Sequence, residues 1–318
     1  MNNLPSDWDN TQNNLKASIL QSAVWSDFQQ SLERESHHAR SDHWSYIAFE
    51  RKNKGIKYLF APYGPTASSA GEEALRSLVA YATKHGYDFV RVEPIGNFSA
   101  TELDNVGAIK ISEVDPAHTQ VLDLLMSEAE LRSGLKPNHR NLINGTARRG
   151  IKIEQSSKQE DLQLFCEMLK DTARHSKVKF YDDSYYLNIW KTMQPKGNAK
   201  LYIARVEGAA VAAALFYDYN GVRYYAHAGA FQDMNRKSNA AISLLWQAIV
   251  DAKSIGIHKF DLWGVAPDNN PNHKWAGISS FKKGFGGETV SYLGTYDIPI
   301  KKSKYKLYSS IQKIRGRG

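Results

Sequence analysis

The chain has 318 residues, 42% hydrophobic and 23% charged, an ordinary globular composition long enough for one large or two medium domains. No stretch approaches the roughly 18 consecutive apolar residues of a membrane span, and Met1 to Asn14 lacks the apolar run of a signal peptide, so the protein is expected to stay in the cytoplasm. The net charge of +8 is uneven: Ile298 to Gly318 carries seven lysines and arginines and no acid. Such a tail attracts phosphate, of RNA or of an anionic membrane face, or is simply solvated.

Two stretches read as similar mixed units. In the first, Tyr46–Phe49 and Lys57–Ala61 are strand-like, Tyr63-Gly64-Pro65 turns the chain, and Gly71 to His85 has helical spacing through Leu75, Leu78, Val79 and Ala82. Tyr87 to Pro94 then reads as a buried strand that the proline ends. Between the stretches, Glu128–Arg132 and Asn138–Arg149 form a basic helical connector. In the second stretch, strands are expected at Lys200–Arg205, Ala209–Tyr217 and Val222–Ala228, followed by a helix from Asn239 to Ser254 and a strand at Lys259–Trp263. Gly86 and Gly256 stand where a helix ends in a left-handed cap. The fold class is therefore α/β (α+β) with a duplicated unit.

The single cysteine, Cys166, lies at helical spacing among Leu162, Phe165 and Leu169 and reads as a buried structural thiol. The ten histidines show no His-x-x-x-His or Cys-x-x-Cys spacing, so no metal site is expected, and neither a Gly-x-Ser-x-Gly elbow nor a Walker loop is present.

Several blocks, in order along nearly the whole chain, resemble the FemABX transferases: Gln21–Trp25, Phe60–Pro65, Ala147–Ile151, Leu201–Ala204, Tyr224-Tyr225 with Gly229, Asp261–Val265, and Phe281-Lys282-Lys283-Gly284-Phe285-Gly286-Gly287-Glu288 followed by Tyr292 and Gly294. The resemblance implies two tandem acetyltransferase-like (GNAT) domains, here expected at 1–145, with 298–318 returning to it, and at 146–297. Only about fifty residues separate Gly150 from Leu201, which implies the compact form without a coiled-coil arm. The implied activity is aminoacyl transfer from aminoacyl-tRNA to the stem-peptide amine of a UDP-linked or lipid-linked muropeptide. The protein would be a monomer with aminoacyl-tRNA as co-substrate, no resident cofactor, and transient contact with the inner membrane surface.

The same resemblance places Lys282 at the donor site, where a cation would stabilise the oxyanion of the tetrahedral intermediate, with Phe281 stacking on the terminal adenine and Lys283 beside it. The alternative is a glycine-rich β-bulge with solvated lysines. Arg236-Lys237-Ser238-Asn239-Ala240-Ala241 occupies the place of the acetyltransferase pyrophosphate loop. Asn239 replaces a glycine there, which disfavours coenzyme A and leaves Arg236 and Lys237 for a tRNA phosphate, or a helix capped by Ser238. Glu93 is placed to orient the attacking amine, or is a surface carboxylate. Arg174 and Tyr225 are the acceptor-binding candidates, or a surface arginine and a packed strand residue. Two rival functions share these features: a coenzyme A-dependent N-acyltransferase and a noncatalytic RNA-binding module.

Overall fold

Two glycines in left-handed backbone, Gly86 (φ 74°) and Gly256 (φ 81°), follow the two crossover helices of the computed structural model, Gly71–Lys84 and Ala240–Ser254. Residues 4–176, 178–268, 270, 273 and 275–314 are described. The chain divides into two units, Met1–Ala117 with Ser291–Gly318, and His118–Val290.

In the first unit, Trp44–Asn53 pairs antiparallel with Ile56–Ala61, which pairs parallel with Phe89–Val92. The helix Gly71–Lys84 makes the crossover and buries Leu75, Leu78 and Ala82 against Tyr46, Leu59 and Val90 of the sheet. Gln21 joins this sheet to the N-terminal segment. Its amide donates to the carbonyls of Ile47 (3.1 Å) and Pro62 (2.8 Å), and its oxygen accepts from Ile47 N–H (2.7 Å). The sheet is completed from the far end of the chain: Tyr296–Pro299 lies between Phe89–Val92 and Ile109–Lys110. A buried ion pair locks it there, with Arg91 donating to both oxygens of Asp297 (2.7 and 2.9 Å) and Tyr305 donating to the same carboxylate (3.0 Å).

In the second unit, seven strands run in the order Glu288–Ser291, His118–Asp123, Lys259–Gly264, Val222–Ala230, Ala209–Tyr219, Ala199–Val206, Ile151–Ser156. Side chains alternate along Ala209–Tyr219. Ala212, Ala214 and Phe216 enter the core under Ala240–Ser254. Gly229, the sheet partner of Ala213, faces Gln159–His175, and a β-carbon there would lie 2.6 Å from the backbone of Met168 and Leu169. Cys166 is buried on that helix, where burial raises its thiol pKa to about 11.

The division falls after Ala117, where a boundary near residue 145 and a return at 298 were expected. The reason is His118–Asp123, a strand that the sequence reading did not contain. It pairs with Lys259–Gly264, and the connector behind it buries Leu124, Leu131, Leu135 and Ile143 in the second core.

Removing Asp297 leaves a guanidinium buried without its partner, which costs about 3–5 kcal/mol. Losing only the tyrosine hydroxyl costs about 1.5–3 kcal/mol. Urea unfolding is therefore expected to rank Asp297→Ala well below Tyr305→Phe, and both below the parent.

Candidate functional site

The site begins with a fork in the second sheet. Val222–Ala230 and Lys259–Gly264 pair in parallel only through Val222, Arg223 and Tyr224 against Lys259, Phe260 and Asp261, and then part. Lys282, on the helix Ala276–Lys283, touches both arms: its Nζ donates to Gly264 O (2.8 Å) and lies 5.8 Å from the centre of the Tyr225 ring. Beside it is a cavity of about 170 Å³ lined by Ala214, Tyr225, Gly229, Ala230, Ile278 and Phe281.

Only 8% of Lys282 is exposed. Burial disfavours its charged form and lowers its pKa to about 8, while the nearby Asp261 works the other way. Asp261 is itself buried, which raises its pKa. Its Oδ1 accepts from the hydroxyl of Thr119 and from Trp263 N–H (2.7 Å). Trp263 has φ 61°, a conformation that is uncommon for a bulky side chain and needs support. The carboxylate thus holds an irregularity within the strand, whose last residue, Gly264, offers its carbonyl to Lys282.

Lys282 is neither in a β-bulge nor solvated, since Phe281 to Gly287 is the last turn of a helix and the chain reversal after it. Gly286 (φ 85°) and Gly287 (φ 74°) are left-handed, and a β-carbon on either would strike the backbone of Gly134 or Val121. Gly284 has an ordinary φ of −66°, but a β-carbon there would lie 2.2 Å from the ring of buried His139, whose Nε2 hydrogen-bonds to Phe281 O (3.0 Å). Gly284→Ala is expected to lower stability by about 1–3 kcal/mol through overpacking. Gly277→Ala, in open space on the same helix, is expected to be neutral or to stabilise by up to about 1 kcal/mol; thermal melts of the two variants check the contrast.

Phe281 and Tyr225 line the cavity, and the Tyr225 ring separates it from the Lys282 ammonium, which is not itself part of the lining. Lys283 instead pairs with Asp268 at the surface. Arg236 and Lys237 are exposed on Gln232–Ser238, with Arg236 3.9 Å from Asp233. Ser238 does not cap the next helix, because its hydroxyl donates back to Met234 O (2.9 Å). Asn239 (φ 53°) forms the junction, and the Asn235 side chain accepts from Ala241 N–H (3.0 Å), occupying an amide that a pyrophosphate would need. Arg174 is an exposed arginine paired with Asp171 (2.7 Å).

Glu93 lies in the first unit and is not a surface carboxylate, being 3% exposed. One oxygen accepts from Asp115 N–H (2.9 Å) and the Thr295 hydroxyl (2.8 Å), the other from Tyr63 N–H (3.1 Å). Beside it, the pKa of Asp115 is raised by burial and by the Glu93 charge. Asp261, Thr119, Asn235 and Asp115 were missed by the sequence reading. Asp261 carried a signal, an acid inside an apolar strand, Phe260-Asp261-Leu262-Trp263. Among the described residues no group of three or more His, Cys, Asp or Glu is placed to hold a metal ion.

A model described as the FemAB family matches residues 107–215 and 205–313, together close to two thirds of the chain. The aminoacyltransferase FemA of Staphylococcus epidermidis is 26% identical over 100 residues, 31% of this chain and 24% of that protein. The match thus spans about a quarter of that relative's length. A crystal structure of FemX superposes with a TM-score of 0.83 at 15% identity, covering 96% of this chain and 98% of that one. A tandem GNAT protein from the clavulanic acid biosynthesis pathway superposes at 0.56 and 13% identity, covering 94% and 97%. Each unit is thus a mixed α/β layer of the acetyltransferase type, and the chain belongs to the FemAB family.

Proposed function

We propose that this protein is an aminoacyltransferase that moves an amino acid from aminoacyl-tRNA onto the stem-peptide amine of a peptidoglycan precursor, acting in the cytoplasm as a monomer without a resident cofactor. The observation that carries the reading is the buried ammonium of Lys282 at the open fork, beside a cavity walled by Phe281 and Tyr225. In the reaction the amine nitrogen attacks the ester carbonyl, a C–N bond forms and the C–O bond to ribose breaks. The attacking amine gives up a proton and the leaving ribose oxygen gains one. Lys282, positively charged and largely shielded from water, stabilises the oxyanion formed between these events. Phe281 supports the terminal adenine by stacking, and Arg236 and Lys237 offer exposed charge to the tRNA backbone.

On the acceptor side, Glu93 acts as a positioning residue that holds the Tyr63 turn and Asp115, while Tyr225 and Arg174 remain candidates for precursor binding. A coenzyme A-dependent reaction is disfavoured by the Asn235 side chain on the amide of Ala241. The direct test incubates the protein with mixed charged tRNAs and a soluble muropeptide nucleotide and reads a mass gain of one amino-acid residue. No gain with any pair, together with gain from an acyl-coenzyme A, would overturn the proposal.

Lys282→Ala is expected to fold and to lose about 10²–10³ in kcat. Because Lys282 acts as the cation, the rate should fall as pH rises through about 8. A rate that climbs through the same range in the parent but not in Lys282→Ala would mark Lys282 as a base. Asp261→Asn keeps an acceptor for Trp263 N–H but removes the negative charge that favours the ammonium. The alkaline fall should then move to lower pH, with little change in KM for tRNA.

A further inference from the structure

From Leu131 to Ile153, within the second unit, the chain carries six lysines and arginines and no acid. In this run the helix Pro137–Asn144 is followed by Gly145 and the short turn Ala147–Arg149. Arg149 is anchored by one nitrogen only: Nη2 donates to Leu142 O (2.6 Å) and to the hydroxyl of Ser243 (3.2 Å), near the start of Ala240–Ser254. Its Nε is buried and has no hydrogen-bond partner among the described residues. Burial, and then the charge of Arg148, lower its pKa. Arg148 is exposed and forms no hydrogen bond or ion pair among the described residues. Both guanidinium groups close over Gly145, where a β-carbon would lie 2.8 Å from Arg149 Nη1 and 3.7 Å from Arg148 Nη2. Gly145 has an ordinary φ of −86°, so what glycine supplies here is space.

We infer that Arg148 and Arg149 together clasp a backbone phosphate of RNA; that this RNA is the donor tRNA rests on the transferase reading proposed above. Two guanidinium groups that converge with no acid between them repel each other and leave donors unmet. A phosphate has several acceptor oxygens and a negative charge, and it satisfies both forks at once. Exposed Lys136 and Lys152 belong to the same acid-free run, and such added charge suits a strand of repeating phosphates more than one isolated anion. A lipid surface is disfavoured, because none of the large apolar side chains exposed among the described residues lies between Leu131 and Ile153, so nothing there would enter a bilayer. The contact positions RNA without reading its bases.

The test is binding of bulk tRNA by the full chain across a salt series, with uridine diphosphate binding measured in parallel. Arg148→Ala should keep its melting temperature, because the side chain is exposed and bonds to nothing among the described residues. It should weaken tRNA binding about tenfold at moderate salt and lower the slope of log K against log salt by about one. Lys84→Ala removes an exposed lysine of the first unit and should change tRNA binding by less than about twofold. Gly145→Ala leaves the net charge unchanged but displaces Arg149 Nη1, and it should weaken binding by about threefold or more. The inference is overturned if the parent does not bind tRNA, or if Arg148→Ala binds it no worse than Lys84→Ala. It is equally overturned if Gly145→Ala binds like the parent, which would leave charge alone as the cause, or if Arg148→Ala loses uridine diphosphate while keeping tRNA, which would mark a nucleotide site. The mass gain of the parent with charged tRNA judges the transferase reading separately: gain in the parent, with full tRNA binding by Arg148→Ala, sinks the inference alone.

Discussion

The parting of Val222–Ala230 from Lys259–Gly264 after three paired residues is the constraint on which the rest of the second unit depends. Two parallel strands that separate leave backbone groups and a wedge of space that something must fill. Lys282 fills it. Burying an ammonium group is costly unless its donors and charge are met. Here Gly264 O accepts from it, the Tyr225 ring lies alongside, and Asp261 supplies the opposing charge. Burial outweighs Asp261, so the pKa lies below the ordinary lysine value, at about 8. A cation held near its own titration point, next to a cavity, suits a reaction that develops negative charge for a moment and then loses it.

Both units use one device to hold an aromatic residue in left-handed backbone, after a strand in the first and within one in the second. In the first, Tyr63 has φ 45° and its N–H is taken by buried Glu93. In the second, Trp263 has φ 61° and its N–H is taken by buried Asp261. A left-handed aromatic residue is unfavourable by itself, on the order of 1–3 kcal/mol, and a carboxylate accepting from its amide offsets that cost. The likeness extends the duplication read from strand and helix order to backbone geometry. Glu93, like Asp261, accepts from the amide of a left-handed aromatic residue, and its other partners are Asp115 and buried Thr295.

How far the site was legible depended on the range of the interactions involved. Gly71–Lys84 and Ala240–Ser254 were readable because their apolar residues recur at helical spacing and a glycine follows each. His118–Asp123 was not, because His118-Thr119-Gln120-Val121-Leu122-Asp123 has neither strict alternation nor a continuous apolar run. It is a strand because Lys259–Gly264 offers it an edge. The Lys-Lys-Gly run looked like a turn in local terms, yet one lysine enters the fork while its neighbour pairs with Asp268 at the surface. Two adjacent residues of one type thus have unlike roles, and no local pattern separates them.

By itself the sequence determined the two crossover helices with the strands around them, the duplicated design, the buried thiol at Cys166, and the glycines that end the two helices. These follow from periodicity and from the conformations open to each residue, which act over a few positions. Only the tertiary structure decided where the two units divide, that Tyr296–Pro299 is the strand completing the first sheet, and that Lys282 is buried while Lys283 pairs with Asp268. It alone brought Asp261 and Thr119, 142 positions apart, into one hydrogen bond. Those outcomes depend on burial and on charges meeting across the sheet, quantities that do not exist until distant segments share a core.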